Sequence, residues 1–272
     1  MTAKKNSSIQ SSAEAHNNFV LTKIAEGDLT ILLRGLLHEL RNPLSSILTA
    51  ASLVQDTANE SAQISEESLM LLGVIKKESL RLNYILTEFS NYIKLPVPDP
   101  HDFDLVVTLR SLIGELQRDG ILHARIVVED DLPETSLARA DPEQIRTALH
   151  HLFSNAAEAM PEGGTLHLSL REEENCVVLC VGDSGAGFSS QSKERAFQPF
   201  YSTKQYSVGL GMSAARAILE AASGHIWIEN IPPINPSDTA SSNHSSNDPA
   251  TRVSSSVCIE LPRAAKSIPS QS

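Results

Sequence analysis

His38, Glu39 and Asn42 lie in the stretch Leu36-Leu37-His38-Glu39-Leu40-Arg41-Asn42-Pro43-Leu44, and their types and spacing suit nucleophilic chemistry. Leu29, Leu33, Leu36, Leu40, Ile47 and Val54 recur at helical spacing around them, which predicts one long amphipathic helix. His38 and Asn42, four residues apart, share a face of that helix. Pro43 has no amide to return to the Glu39 carbonyl and should bend the helix just after His38. An imidazole with a carboxylate beside it and an amide one turn on reads as a nucleophile with its attendants. Taken alone, the stretch reads equally well as a surface histidine before a helix kink. A zinc-protease motif is excluded, because the place of its second histidine is taken by Asn42.

A second set of residues suits nucleotide chemistry. Asp141-Pro142-Glu143-Gln144 is a helix start, with Asp as cap, Pro first and Gln placed to reach back. Along that helix His151, Asn155 and Glu158 share a face, and Asn155 offers a neutral oxygen of the kind Mg²⁺ takes. Asp183, ahead of Gly185 and Gly187, can accept from an exocyclic amine while the glycines admit a close backbone approach. Gly209-Leu210-Gly211 opens a further helix whose free amides suit a phosphate. Each glycine pair alone fits an ordinary turn as well.

The elements that must position these groups fall into two parts. Residues 1–27 read as a partly disordered segment with a short helix from His16 to Glu26. Asp28 is placed to cap the His38 helix, which should run to about Asp56. After a connection over 57–65, ending in a second cap at Ser65, another helix runs from Glu66 to about Leu95. Residues 28–95 are therefore a helical hairpin. Alone it cannot bury both its stripes, so a homodimer closing a four-helix bundle is expected. Three prolines in Pro96-Val97-Pro98-Asp99-Pro100 open a linker over 96–103. Residues 104–263 alternate helices and strands as an α/β sandwich. It has a polar, Ser- and Asn-rich insertion over 231–256 read as disordered, and 264–272 form a tail.

The sequence has 272 residues and a formal net charge of -11, opposite in sign to the footprint of direct nucleic-acid binding. No apolar run reaches the roughly 18 residues that span a bilayer. No signal peptide is recognisable, and a cytoplasmic location follows as an expectation. The three cysteines, Cys176, Cys180 and Cys258, have no metal-ligand spacing and are expected to be reduced, in strands.

The order of the pieces resembles the sensor histidine kinases of two-component signalling, nitrogen-regulation-like class. They are His-Glu-Leu-Arg-Asn-Pro, Asn155 within Asn-Ala-Ala-Glu-Ala, Asp-x-Gly-x-Gly, Phe-x-Pro-Phe-Tyr-Ser-Thr-Lys and Gly-Leu-Gly-Met. The resemblance implies a dimeric phosphoacceptor hairpin followed by a Bergerat-type ATP-binding domain. It implies ATP and Mg²⁺ as cofactors, autophosphorylation on His38, and phosphoryl transfer to the aspartate of a response-regulator receiver domain. Glu39 would orient the imidazole or take its proton, and Asn42 would position a water for dephosphorylating the partner. Asn155 would hold Mg²⁺ and Asp183 would read adenine. Gly185, Gly187, Gly209, Leu210 and Gly211 would flank a nucleotide lid, with Phe197 and Phe200 anchoring it and Lys204 near phosphate. His151 and Glu158 complete the site. The chain departs from the pattern at His151, where the family has asparagine, at Ser207 for glycine, and at Ser255-Ser256 for Gly-Thr. These departures motivate a second reading, a degenerate kinase acting as a dimeric scaffold or regulator phosphatase. A Bergerat ATPase without phosphohistidine is a third. With about 27 residues ahead of the hairpin, the expectation is that either a separate subunit senses the signal or the N-terminal segment docks a partner.

Overall fold

The computed structural model describes residues 26–60, 66–204, 207–230 and 254–264. They form two compact units: the helical hairpin together with Gln198–Leu210, and the remainder from Pro98 onward.

In the first unit, α1 (Glu26–Glu60) packs against α2 (Glu66–Ile93). Helix α1 begins two residues before Asp28, so Asp28 lies inside it and is not its cap, and it ends four residues beyond Asp56. It continues through Pro43, which is buried. Leu32 and Ala50 of α1 and Ile85 and Tyr92 of α2 are also buried. Leu33, Leu37, Leu44 and Leu48 of α1, with Leu69, Leu72 and Leu86 of α2, stay exposed on this single hairpin. The short helix expected from His16, the cap Ser65 and residues 231–253 of the insertion lie outside the described residues.

Segment 198–210 closes on itself through the Phe200 amide, which donates to the Gly209 carbonyl at 2.9 Å. Phe200 and Gly209 both have positive φ, 61° and 73°. At Gly209 a Cβ would fall 2.6 Å from the Tyr201 carbonyl oxygen, so only glycine fits. The Phe200 ring stacks on Phe89 with centroids 6.3 Å apart and lies over Gly35, where a Cβ would come within 2.3 Å of it.

The second unit is an α/β sandwich. Its elements are β1 (His101–Asp104), α3 (Leu105–Arg118), β2 (Ile126–Asp131), β3 (Leu137–Ala140), α4 (Pro142–Ala159), β4 (Gly164–Glu172), β5 (Cys176–Asp183), α5 (Ser190–Arg195), α6 (Gly211–Ala221), β6 (His225–Asn230) and β7 (Ser255–Pro262). Five strands form one sheet in the order β2-β4-β5-β7-β6, antiparallel except for β2 with β4, and β1 pairs with β3 in a small second sheet. Leu149, Leu152 and Phe153 of α4 are fully buried, as are Leu166, Leu168, Leu179 and Ile259 from the strands. Asp141 caps α4 as its sequence predicts, accepting from the Glu143 and Gln144 amides, with Pro142 at the first helical position. Gln144 reaches back to the Asp141 carboxylate at 3.5 Å.

One expectation is overturned. Cys180 and Cys258 are not free thiols but form a disulfide across β5 and β7, and Cys176 is the free cysteine. The two lie 78 residues apart in sequence, and only the strand register makes them direct partners.

Candidate active site

In the hairpin unit the His38 side chain is 73 % exposed. Its Nδ1 lies 3.7 Å from Glu39 Oε1, so the adjacent carboxylate stands near the imidazole, beyond hydrogen-bond distance, with their Cβ directions divergent. Arg81 of α2 stands 4.0 Å from the other Glu39 oxygen and links the pair to the second helix. A carboxylate at Nδ1 favours the proton on that nitrogen, leaving the Nε2 lone pair as nucleophile. Asn42 is exposed one turn further along α1.

In the sandwich unit α4 carries His151 and Asn155, both half-buried, and Glu158, which is exposed. Two glycine-rich segments pack on this helix. A Cβ on Gly185 would meet the Ala159 carbonyl oxygen at 2.5 Å, and one on Gly211 would lie 3.1 Å from His151 Nδ1. The stretch from His151 to Ala159 therefore runs from the first residue of α6, where amides lack helical partners, to the loop after Asp183. Burial, and secondarily the neighbouring His150, push the His151 pKa down to about 4. The imidazole is therefore neutral at pH 7 and can offer a donor or an acceptor, but not a charge.

Asp183, at the end of β5, is 3 % exposed. Its Oδ1 accepts from the Gly185 amide at 3.0 Å and its Oδ2 from the Ser255 hydroxyl at 3.4 Å. Ser254 donates its amide to the Asp183 carbonyl and its hydroxyl to the Gly185 carbonyl at 2.7 Å, and a Cβ on Gly187 would meet that hydroxyl at 3.3 Å. The Ser184 hydroxyl accepts from the Thr165 amide at 2.9 Å. Sequence reasoning assigned no role to Ser254, Ser184 or Thr165. Ser255, noted only as a departure, supplies the hydroxyl that orients Asp183. The signal for it was the pairing of Asp183 with Ser255 across β5 and β7, which no local pattern carries. Phe197 is half-buried in the sandwich unit. Phe200, Lys204, Gly209 and Leu210 belong to the segment that groups with the hairpin, where the Lys204 amide donates to the Ser202 hydroxyl and Leu210 is buried.

Residues 28–95 match the His Kinase A (phospho-acceptor) domain, and residues 140–264 match the histidine kinase-, DNA gyrase B- and HSP90-like ATPases. The chain belongs to the two-component histidine kinases. Among curated histidine kinases, the sensor histidine kinase ZraS of Escherichia coli O157:H7 is 30 % identical over 203 residues, 74 % of this chain and 43 % of that protein. Sporulation kinase A of Bacillus subtilis is 28 % identical over 205 residues, 74 % of this chain and 32 % of its own length. The chain thus spans under half the length of these relatives. Histidine kinase ThkA, solved in complex with the response regulator protein TrrA, shares the fold at a TM-score of 0.62 and 23 % identity, covering 87 % of this chain and 63 % of that one. Among the described residues no helix is long and apolar enough to cross a membrane.

Proposed function

We propose that this histidine kinase phosphorylates its own His38 from ATP and passes the phosphoryl group to an aspartate on the receiver domain of a separate response regulator. The observation that carries the reading is the exposed His38 with a carboxylate at Nδ1, on a helix that matches the phospho-acceptor model. The Nε2 lone pair attacks the γ-phosphorus, the bond to the β,γ-bridging oxygen breaks, and ADP leaves. The Nδ1 proton passes to Glu39, so the phosphorylated ring stays neutral. Transfer to the regulator then moves the phosphoryl group from Nε2 to a carboxylate oxygen. Asn42, exposed one turn on, would orient a water for the separate dephosphorylation of the partner, in which water attacks the aspartyl phosphate and inorganic phosphate leaves.

Asp183 accepts from the adenine amine, its two oxygens held by Gly185 and Ser255. In the sandwich unit Gly185, Gly187 and Gly211 would admit the nucleotide and its phosphates; by the motif they share with the family, Gly209 and Leu210 would belong to the lid, Lys204 would add charge and Phe200 would anchor the segment. A Mg²⁺ ion fits the neutral amide oxygen of Asn155, beside the half-buried His151 and the Glu158 carboxylate. Bound there, it would neutralise phosphate charge. The exposed leucines of α1 and α2 are the face on which a second copy would complete a four-helix bundle. With ATP as donor, both units work on the cytoplasmic side. Incubation with γ-labelled ATP and Mg²⁺ tests the reading. Acid-labile, alkali-stable label is expected on the wild type and none on His38→Gln. An unlabelled, folded wild type would favour the scaffold or phosphatase reading, which the neutral His151 in the place of the family's asparagine motivates.

A further inference from the structure

The outer face of the five-stranded sheet carries a chemistry that phosphoryl transfer does not use. Cys258 is the direct register partner of Cys180 on one side and of Trp227 on the other. The two sulfurs and a Glu229 carboxylate oxygen lie within 4.8 Å of one another. The Trp227 indole N–H donates to Glu229 Oε1 at 2.8 Å and holds that carboxylate by the sulfurs. Cys258 is fully buried, whereas Cys180 is half-buried. The pair is therefore asymmetric: an external thiol can reach Cys180, and Cys258 can be reached only from Cys180.

The position of the pair ties it to the nucleotide site. Cys180 precedes Asp183 by three residues on β5, and Cys258 follows Ser255 by three on β7. An odd spacing puts the sulfurs on the face opposite Asp183 and Ser255. Asp183 and Ser255 are themselves register partners joined by a hydrogen bond. The same two strands thus carry a covalent link at one point and the adenine-reading carboxylate three steps on.

We propose that Cys180 and Cys258 are a redox-active pair whose disulfide clamps β5 to β7 and tightens the nucleotide site through Asp183. The coupling to nucleotide rests on the function proposed above. The redox pair itself does not. In the cytoplasm, where glutathione keeps most thiols reduced, disulfides that do form are transient and redox-sensing. Oxidation runs by exchange with a low-molecular-weight disulfide. The Cys180 thiolate attacks one of its sulfurs and releases one thiol. Cys258, deprotonated, then attacks Cys180 Sγ and releases the second. The protein loses two electrons and two protons, which the two released thiols carry. Glu229 opposes negative charge at both sulfurs and slows exchange in both directions.

The test equilibrates the 272-residue chain in glutathione buffers from fully reduced to fully oxidised. It reads three things: alkylated thiols by mass, emission of Trp227, the single tryptophan of the chain, and affinity for a fluorescent ADP analogue. Two thiols should titrate together while Cys176 stays alkylatable throughout. Trp227 emission should follow the same curve. Nucleotide affinity should fall about fivefold on reduction, near the low end of ordinary coupling between sites. Cys258→Ser should trap a mixed disulfide on Cys180, and Glu229→Gln should speed exchange. Thiols that never pair, or a bond that no glutathione ratio reduces, would overturn the redox pair. A reversible pair with unchanged nucleotide affinity would overturn the clamp. Absence of nucleotide binding in both states would sink the nucleotide-site reading and the clamp together, while the thiol titration, which needs no variant, still decides the pair.

Discussion

Glu39 and Asp183 are the two carboxylates whose surroundings fix their work. Glu39 lies between His38 and Arg81, so it can take a proton from Nδ1 without leaving the cation. Asp183 is buried, and each of its oxygens accepts a hydrogen bond, from the Gly185 amide and from the Ser255 hydroxyl. Asp183→Asn can keep its oxygen on the Gly185 amide and turn its N–H₂ to the Ser255 hydroxyl, which rotates to accept, but that N–H₂ cannot accept from the adenine amine proposed to bind there. A ligand donor buried without its acceptor costs about 1–3 kcal/mol, so nucleotide affinity should drop roughly 10- to 100-fold by equilibrium titration. His151 makes a prediction about pH. Its folded pKa of about 4 lies below the ordinary histidine value of 6.5. The unfolded chain therefore binds a proton that the folded one refuses as pH falls through 6.5, and stability drops until about pH 4. The gap corresponds to roughly 3 kcal/mol at about 1.4 kcal/mol per unit. His151→Asn should lose less stability than wild type over that window in urea unfolding. An equal loss in both would remove burial of the imidazole as the cause. The placement of Glu39 beside His38 and of Asp183 ahead of the glycines was legible from type and spacing. Ser254 and Ser255 were not, because their partners lie about 70 residues away and only the register of β5 with β7 joins them.

Long helices and the capped start of α4 were legible because each rests on a pattern within a few residues. Asp141, Pro142 and Gln144 act locally, as their types predict. The strands β1 and β3, four residues each, and the six-residue α5 were missed because elements so short hold no more than two periods of burial, too few for a repeat to stand out. The disulfide was missed for the same reason as Ser255: pairing is a tertiary fact. Helix α1 also carries a feature no pattern announces, the notch at Gly35. Alanine in a helix normally gains about 1 kcal/mol over glycine. Here its Cβ would fall inside the Phe200 ring. Gly35→Ala should therefore yield no gain, or a net loss, in thermal stability. Gly35→Ala in a Phe200→Ala background should recover the gain. Equal effects in both backgrounds would show that Phe200 does not occupy the notch.

At the scale of the whole molecule, the hairpin leaves its apolar stripes uncovered. Leu37 is 62 % exposed and Leu48 60 %, a surface that a single soluble copy rarely keeps open. Leu37→Glu combined with Leu48→Glu should convert a dimer to monomers by light scattering, with the sandwich unit still binding nucleotide. A monomeric wild type would contradict the bundle. The hairpin and the sandwich were each legible because each has its own periodicity, and prolines separate them. The grouping of 198–210 with the hairpin was not, since it depends on where one phenylalanine ring comes to rest. The central claim is that His38 receives the phosphoryl group on Nε2. Phosphorus NMR of the intact protein after reaction with ATP tests it most directly. The account predicts one phosphoramidate resonance, assigned to Nε2 and absent from His38→Gln. A resonance on Nδ1, or a signal surviving His38→Gln, would contradict it.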